Sequence, residues 1–198
     1  LEGDLRVQVD LLEGQLWAIQ GNRAKAEDIL NRASERVDEG ADIDLHLAMV
    51  NTLMACGQHK LAQEKLALLI EAFKDNQPIL EKIDPLLSEP VSDKGKKELA
   101  HVNKQGIAAY KAEDYTKAID YFIRVEKRFP HYLGVKLNLV QALLGKMRHQ
   151  AIGEGDIDRC LAIFDGVKQS VQPDTDQYQR YQQLRDMFDR IKAKQSTS

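Results

Sequence analysis

Histidine, cysteine and clustered glycine residues are the parts of this chain that could support metal binding, nucleophilic catalysis or phosphate binding. The five histidines are scattered, without the spacing of a metal-binding pair: His46, His59, His101, His131 and His149. The glycine-rich stretch GEGD at 153–156 lacks the lysine of a phosphate-binding loop, so a turn is the better interpretation. The sequence therefore predicts no metal, no cofactor and no enzyme activity.

The two cysteines and the hydropathy of the chain bear on its compartment. Cys56 and Cys160 each lie in an apolar helical context, which is typical of buried thiols in a reducing compartment. No apolar stretch approaches the ~18 residues of a membrane span. We therefore expect a cytoplasmic chain without membrane contact. Because the sequence begins at Leu1 without methionine and without a signal-like segment, we also expect it to be a piece of a longer protein.

Charge is distributed unevenly along the chain, although the net charge is only −3. Residues 1–50 carry five basic and eleven acidic residues, whereas residues 101–150 carry nine basic and four acidic residues. Ordinary surface variation explains this difference best, and a polarised surface that orients a partner is the alternative. The basic residues are not interleaved with stacking aromatics, so a solvated face is favoured over a nucleic-acid site.

A helical period recurs four times. When the segments are aligned on a small residue, apolar residues follow four and seven places later, as an amphipathic helix requires. The small residues are Ala26, Ala62, Ala118 and Cys160. The residues four places later are Leu30, Leu66, Phe122 and Phe164, and those seven places later are Ala33, Leu69, Val125 and Val167. Because helix formers dominate and alternating β-branched runs are missing, we predict an all-α fold.

Glycines recur at fixed offsets from the small residues. Five places before them stand Gly21, Gly57, Glu113 and Gly155. This pattern predicts a left-handed cap where the chain leaves one helix and starts the next. Twelve places before them, Gly14 precedes Ala26 and Gly106 precedes Ala118. Glycine is unfavourable inside a helix, so we expect a close helix crossing there, with Ala26 and Ala118 on its other side.

The pattern resembles the tetratricopeptide repeat family, whose 34-residue helix pair carries glycine, aromatic, alanine, aromatic and proline residues at fixed places. The third segment matches best, through Gly106, Ala118, Phe122 and Pro130. The others are degenerate: Leu30 replaces an aromatic residue, and Val50 and Val140 replace glycine. The resemblance implies a superhelical array of antiparallel helix pairs, an α-solenoid of about four degenerate repeats with a C-terminal capping helix.

The distances between the small residues set the expected boundaries. They are 36 residues from Ala26 to Ala62, 56 from there to Ala118 and 42 from there to Cys160. We expect repeats 1 and 2 in 1–74, a proline-containing linker with a short helix in 75–98, and repeats 3 and 4 in 99–172. The long last spacing indicates a lengthened helix or an extra loop near 146–154. A capping helix and a frayed tail complete the chain in 173–198.

The predicted capping helix carries one apolar stripe at helical spacing, formed by Tyr178, Tyr181, Leu184, Phe188 and Ile191. The rest of this helix is polar. Terminal helices of ordered arrays can also pair with one another. We therefore expect a homodimer through 174–194.

The resemblance implies where a partner would bind. In the family, the first helix of each pair lines a concave groove that holds extended or helical peptides. Carried onto this chain, the groove residues are Gln15, Asn51, Met54, Asn103, Ile107, Tyr110, Lys111, Leu137, Asn138 and Gln141. Amide side chains both donate and accept, so they suit contacts with a peptide backbone, although simple exposure explains them equally well. Leucines occupy the places of the lysine that clamps a terminal carboxylate in one branch of the family, so that specificity is not carried over.

The stretch VNKQGIAAYKAEDYTKAIDYFIRVEKRFPHYLGVKLNLVQALLGKM, residues 102–147, resembles the helical output region of bacterial response regulators that join a receiver domain to tetratricopeptide repeats. The resemblance implies a protein–protein interaction scaffold in two-component signalling. Two alternatives remain open: a repeat adaptor for assembly or co-chaperone work, and a regulatory domain of an enzyme encoded upstream.

Overall fold

The computed structural model describes residues 2–37, 42–150, 152–168 and 170–195. Within these ranges it contains ten α-helices, one short 3-10 turn and no strand, which confirms the all-α prediction. The chain divides into two compact units, Leu1–Ile83 and Asp84–Ser198. None of the helices in the described ranges is both long and apolar enough to cross a membrane.

The described part of the first unit contains five helices: α1 (Glu2–Ile19), α2 (Arg23–Arg36), α3 (Ile43–Ala55), α4 (His59–Ala72) and α5 (Gln77–Ile83). α1 packs against α2 and α3, and α4 packs against α3 and α5. The core of this unit includes Leu30, Val50 and Leu53, none of which is exposed to solvent. Helix pairs of this kind bury one apolar face of each helix against its neighbour.

The second unit begins with the 3-10 turn Asp84–Leu86 and continues with α6 (Asp93–Lys111), α7 (Tyr115–Arg128), α8 (Leu133–His149), α9 (Asp156–Lys168) and α10 (Asp176–Gln195). α8 is its central helix, since it packs against α6, α7, α9 and α10. Most of its length is accordingly apolar and buried on several sides.

The repeated apolar positions are all buried. The small residues, the residues four places later and the residues seven places later are each at most 7% exposed in all four segments. They lie on α2, α4, α7 and α9, the second helix of each pair. The helical period in the sequence therefore identified the buried face of these helices correctly.

The turns within the first three pairs share one backbone conformation. The residues five places before the small residue are left-handed: φ is 80° at Gly21, 81° at Gly57 and 60° at Glu113. In each turn this residue donates its N–H to the carbonyl three residues back, and the next residue donates to the carbonyl five residues back. This is the Schellman cap, which satisfies the last carbonyls of a helix. Gly155 is also left-handed, but it lies in the loop directly before α9 instead of capping α8.

Gly14 and Gly106 mark close helix crossings, but the residues that face them differ from the expectation. A Cβ atom on Gly14 would lie 2.6 Å from Leu30, and one on Gly106 would lie 2.5 Å from Phe122. Both contacts join residues sixteen places apart, so the two hairpins cross in the same way. The contact falls one helical turn beyond the predicted alanines because a large side chain fills the space that glycine leaves.

The predicted linker contains regular structure. Its short helix is present as α5 followed by the 3-10 turn, and α6 already begins at Asp93. The buried Asp84 carboxylate accepts hydrogen bonds from the backbone N–H groups of Val91 (2.7 Å) and Ser92 (3.1 Å) and from the Ser92 hydroxyl (2.5 Å). The same Ser92 oxygen caps α6 by accepting from the N–H of Gly95 at 2.9 Å.

The long spacing before Cys160 reflects a longer connection as well as a long helix. α8 is 17 residues long and ends at His149, and α9 begins only at Asp156. The Asp156 carboxylate accepts from the N–H of Gly153 (2.8 Å) and from Nζ of Lys146 (3.0 Å), so it ties the start of α9 to the last turn of α8.

The stripe of the terminal helix faces the core of the second unit. Leu184 and Phe188 are buried, and Tyr178, Tyr181 and Ile191 pack against the same core. Thr175 caps the helix by accepting from the N–H of Tyr178 at 3.2 Å. The apolar stripe is therefore occupied within the chain, so the homodimer expected through 174–194 would have to use the polar side of the helix.

Candidate functional site

A cavity of about 310 Å³ opens on the second unit between α6, α7, α8 and α10. We call it the Arg180 pocket, and its lining is formed by Ile107, Tyr110, Lys111, Phe122, Asn138, Gln141 and Arg180. Five of these seven were predicted as groove residues: Ile107, Tyr110, Lys111, Asn138 and Gln141. The packing of α6 beside α8 thus brings together a set that the sequence placed on two separate helices.

Arg180 is held by two amide oxygens. Its Nη2 atom donates to Oδ1 of Asn138 and to Oε1 of Gln141, both at 2.6 Å. Nδ2 of Asn138 in turn donates to Oδ1 of Asn103 at 2.6 Å. Both acceptors are neutral amide oxygens, so they hold the guanidinium in place without neutralising it. The positive charge of Arg180 therefore remains available to a ligand.

The electrostatics of the Arg180 pocket favour an anion. Its described lining includes the basic Lys111 and Arg180 and no acidic side chain. In the part of the chain that the structure describes, no carboxylate forms an ion pair with Arg180. Burial lowers the pKa of Arg180, while the nearby hydroxyls of Tyr110 and Tyr132 act in the opposite direction. A guanidinium stays charged at neutral pH, so the pocket holds a half-buried, unneutralised cation.

Aromatic packing supports one wall of the pocket. Tyr110 makes an edge-to-face contact with Tyr115, with ring centroids 5.5 Å apart, and Tyr115 stacks on His149 at 5.7 Å. Gly145 permits this arrangement, because a Cβ atom there would lie 2.5 Å from the Tyr115 ring. Tyr110 is thereby oriented by its neighbours and presents an amphipathic surface to the cavity.

Two further predicted residues of the second unit have other surroundings. Leu137 is 1% exposed and belongs to the core, so its side chain does not line a groove. α8 is buried on several sides, so Leu137 is covered although the amide of Asn138 next to it lines the pocket. Asn103 contributes to the site through Asn138 and is not itself part of the pocket lining.

The predicted groove residues of the first unit form no comparable cluster in its described part. Gln15 donates from Nε2 to Oγ1 of Thr52 at 3.0 Å, which ties α1 to α3. Asn51 is exposed and Met54 is half-buried. In this unit the amide of Gln15 therefore stabilises helix packing.

Arg180 is the functional candidate that the sequence did not predict. It lies between Tyr178 and Tyr181 of the apolar stripe, and the helical period assigned it to the polar remainder of α10. The sequence carries no signal that singles it out, since Arg185 and Arg190 also lie between stripe residues of this helix. Its partners on α8 depend on tertiary packing.

The basic residues of 101–150 are partly neutralised by carboxylates. Lys146 pairs with the buried Asp156 at 3.0 Å, and Arg128 lies 3.7 Å from Glu98. Within the described residues, His, Cys, Asp and Glu side chains form no group of three that could hold a metal ion.

The two thiols differ in environment. Cys160 is fully buried on α9, and burial, with Asp156 adding to it, raises its pKa to about 12. Cys56 is half-buried, and burial raises its pKa as well. Nucleophilic attack needs the thiolate, so these pKa directions do not suit nucleophilic cysteines at neutral pH.

Comparisons of this chain with protein-family models, with curated proteins and with solved structures give no match.

Proposed function

We propose that this chain is a protein–protein interaction scaffold built from tetratricopeptide-like helix pairs, and that the Arg180 pocket binds a carboxylate carried by a segment of a partner protein. The repeated turns and buried faces of the hairpins support the helical-repeat part of the proposal. The ligand part rests mainly on the half-buried Arg180, which is fixed by two amide oxygens without an acidic partner.

Other features of the pocket agree with a peptide ligand. Asn138 and Gln141 each use their oxygen on Arg180. An amide nitrogen carries two hydrogens, so Asn138, which donates one to Asn103, still has one that can donate to a peptide carbonyl, as Gln141 can. Ile107 and Tyr110 provide apolar contact area next to the charge. Carboxylate recognition by arginine gains from the planar, two-pronged geometry of the guanidinium.

The test uses two pools of random nonapeptides and nuclear magnetic resonance of the full chain. One pool is rich in Asp and Glu and ends in free carboxylates, and the other replaces every carboxylate by its amide. We expect the carboxylate pool alone to shift the side-chain amide signals of Asn138 and Gln141. Absence of these shifts at millimolar peptide would reject the ligand proposal.

Variants on α10 separate binding from stability. Arg180→Gln removes the charge and should weaken carboxylate binding roughly tenfold or more. Arg190→Gln removes an exposed charge from the same helix and should leave binding unchanged. The contrary outcome is that the wild type binds neither peptide pool and that Arg180→Gln lowers only the stability of the second unit. In that case the role of Arg180 is to stabilise the packing of α10 against α8.

We further propose that the scaffold is the output region of a two-component response regulator. The resemblance of residues 102–147 to such regions is what supports this role. Sequencing the complete gene tests it: a receiver domain encoded upstream agrees with the proposal. An upstream catalytic domain would favour a regulatory domain of an enzyme, and neither would favour a repeat adaptor.

A further inference from the structure

The first helix carries two apolar faces on nearly opposite sides. Val7, Leu11 and Gly14 point into the first unit, where they are buried. The outer face is formed by large side chains that are 51–84% exposed: Leu5, Val9, Leu12, Leu16 and Ile19. We call these five residues the outer stripe of α1. Single exposed leucines are common on protein surfaces, whereas five in register along one helix call for an explanation.

The spacing of the outer stripe is that of a coiled coil. Successive members are 4, 3, 4 and 3 residues apart, which is a strict heptad repeat. In heptad terms Leu5, Leu12 and Ile19 take the d positions, and Val9 and Leu16 take the a positions. A repeat of 3.5 residues matches a second helix that follows the first along its length. Leu5, Val9 and Leu12, three of the five layers, have leucine at d and a β-branched residue at a, the combination that favours two parallel strands. Leu16 at a and Ile19 at d have the combination found in larger assemblies, so the preference for a pair rests on the first three layers.

The residues beside the stripe permit self-association. In a parallel pair, Gln8 would face Glu13 of the second copy and Gln15 would face Gln20, so no like charges oppose each other. A stripe that pairs with itself needs no second surface, because a two-fold axis relates identical patches. Glycine and charged residues do not interrupt the five layers.

The area and the preformed helix are sufficient for a specific dimer. Covering five side chains that are at least half exposed on each copy removes on the order of 1,000 Å² from water in total, the lower limit for a specific interface. An isolated helix of this length would first have to fold. α1 is already held by α2 through the inner face, so dimerisation would not bear that cost.

We propose that a second copy of this chain covers the outer stripe, forming a parallel α1–α1 dimer. The proposal is independent of ligand binding at the Arg180 pocket. It also assigns the dimer contact to α1 instead of the terminal helix, whose stripe is already buried.

Oligomeric state tests the proposal on the full chain. Sedimentation velocity from about 5 to 300 µM should show a concentration-dependent dimer for the wild type. Leu12→Lys/Leu16→Lys should be monomeric throughout this range with an unchanged far-ultraviolet circular dichroism spectrum. Leu68→Lys is the matched control, since Leu68 is an equally exposed leucine on α4 of the same unit, and it should dimerise like the wild type. A monomeric wild type, or a double variant that dimerises equally well, overturns the proposal.

Cross-linking provides a second readout that does not depend on introducing charge. In a Cys56→Ser background, Leu5→Cys and Leu12→Cys should each form an intermolecular disulfide under mild oxidation, because each d layer of a parallel pair meets itself. Leu68→Cys should remain reduced under the same conditions. Cross-linking of Leu12→Cys without Leu5→Cys, or no cross-linking of either, contradicts the parallel dimer.

Discussion

At the scale of single residues, Glu113 has a backbone conformation that the chain otherwise assigns to glycine at the same place. Its φ of 60° matches Gly21 and Gly57 in the equivalent turns. A side chain at positive φ destabilises the folded state by roughly 1–2 kcal/mol. Glycine removes this strain, but part of the gain is offset because glycine has more conformational entropy in the unfolded chain. We therefore predict that Glu113→Gly raises the free energy of unfolding by about 0.5–1 kcal/mol, measured by urea denaturation.

Two variants check the reason for this gain. Glu113→Ala removes the carboxylate but keeps a Cβ atom in the left-handed turn, so it should not stabilise the protein. Gly57→Ala introduces a Cβ atom into the same turn of the second pair and should lower stability by about 1 kcal/mol. Stabilisation by Glu113→Ala as large as that by Glu113→Gly would show that charge, and not backbone strain, is the cause.

Predictions about single residues succeed where a backbone conformation is open to few residue types. Glycine spacing located the left-handed turns, because few other residues adopt that conformation. The same reasoning misassigned the neighbours of Gly14 and Gly106, which are Leu30 and Phe122. Which side chain fills the space beside each glycine depends on the crossing angle of the two helices. The period of apolar residues in the sequence does not determine this angle.

At the scale of elements, the N-terminal capping side chains of the helices differ in burial. The Ser92 hydroxyl of α6 is buried, accepts from the N–H of Gly95 and donates to the buried Asp84. The Asp114 carboxylate of α7 is exposed and accepts from the N–H of Lys117 at 3.1 Å. Both side chains satisfy a backbone N–H that the helix itself leaves free.

We predict that Ser92→Ala is more destabilising than Asp114→Ala. The exposed cap should cost about 1 kcal/mol, whereas loss of the Ser92 hydroxyl also leaves a buried carboxylate short of a donor, giving about 2–3 kcal/mol. Urea denaturation of the two variants in parallel measures the difference. Equal losses would mean that Asp84 finds a substitute donor, such as water.

The elements that periodicity predicted best are those with one buried face. α2, α4, α7 and α9 fit the small–apolar pattern because the buried residues of each helix form a single stripe. α8 shows no such pattern, since its neighbours surround it, and α1 has two apolar faces. The segment from Asp84 to Ser92 is held by hydrogen bonds to one buried carboxylate. It has no repeating pattern of apolar residues, so the sequence predicts only a linker there.

At the scale of the whole molecule, the aromatic residues separate the two units spectroscopically. Trp17 is the single tryptophan and lies in the first unit, where Nζ of Lys25 is 3.6 Å from the centroid of its ring. All six tyrosines lie in the second unit: Tyr110, Tyr115, Tyr121, Tyr132, Tyr178 and Tyr181. Tryptophan fluorescence therefore reports on one unit and the near-ultraviolet circular dichroism of tyrosine chiefly on the other.

Because each unit has its own buried core, we predict that core variants act on one transition at a time. Leu30→Ala should lower the free energy of unfolding of the first unit by about 2–5 kcal/mol. The urea midpoint measured by tryptophan fluorescence should fall accordingly, and the midpoint measured by tyrosine circular dichroism should not change. Phe164→Ala should do the reverse, with about 3–5 kcal/mol. Both side chains are fully buried, so the two variants are matched in their cause of destabilisation. If either variant moves both transitions together, the chain unfolds as one cooperative body and the division into units has no thermodynamic counterpart.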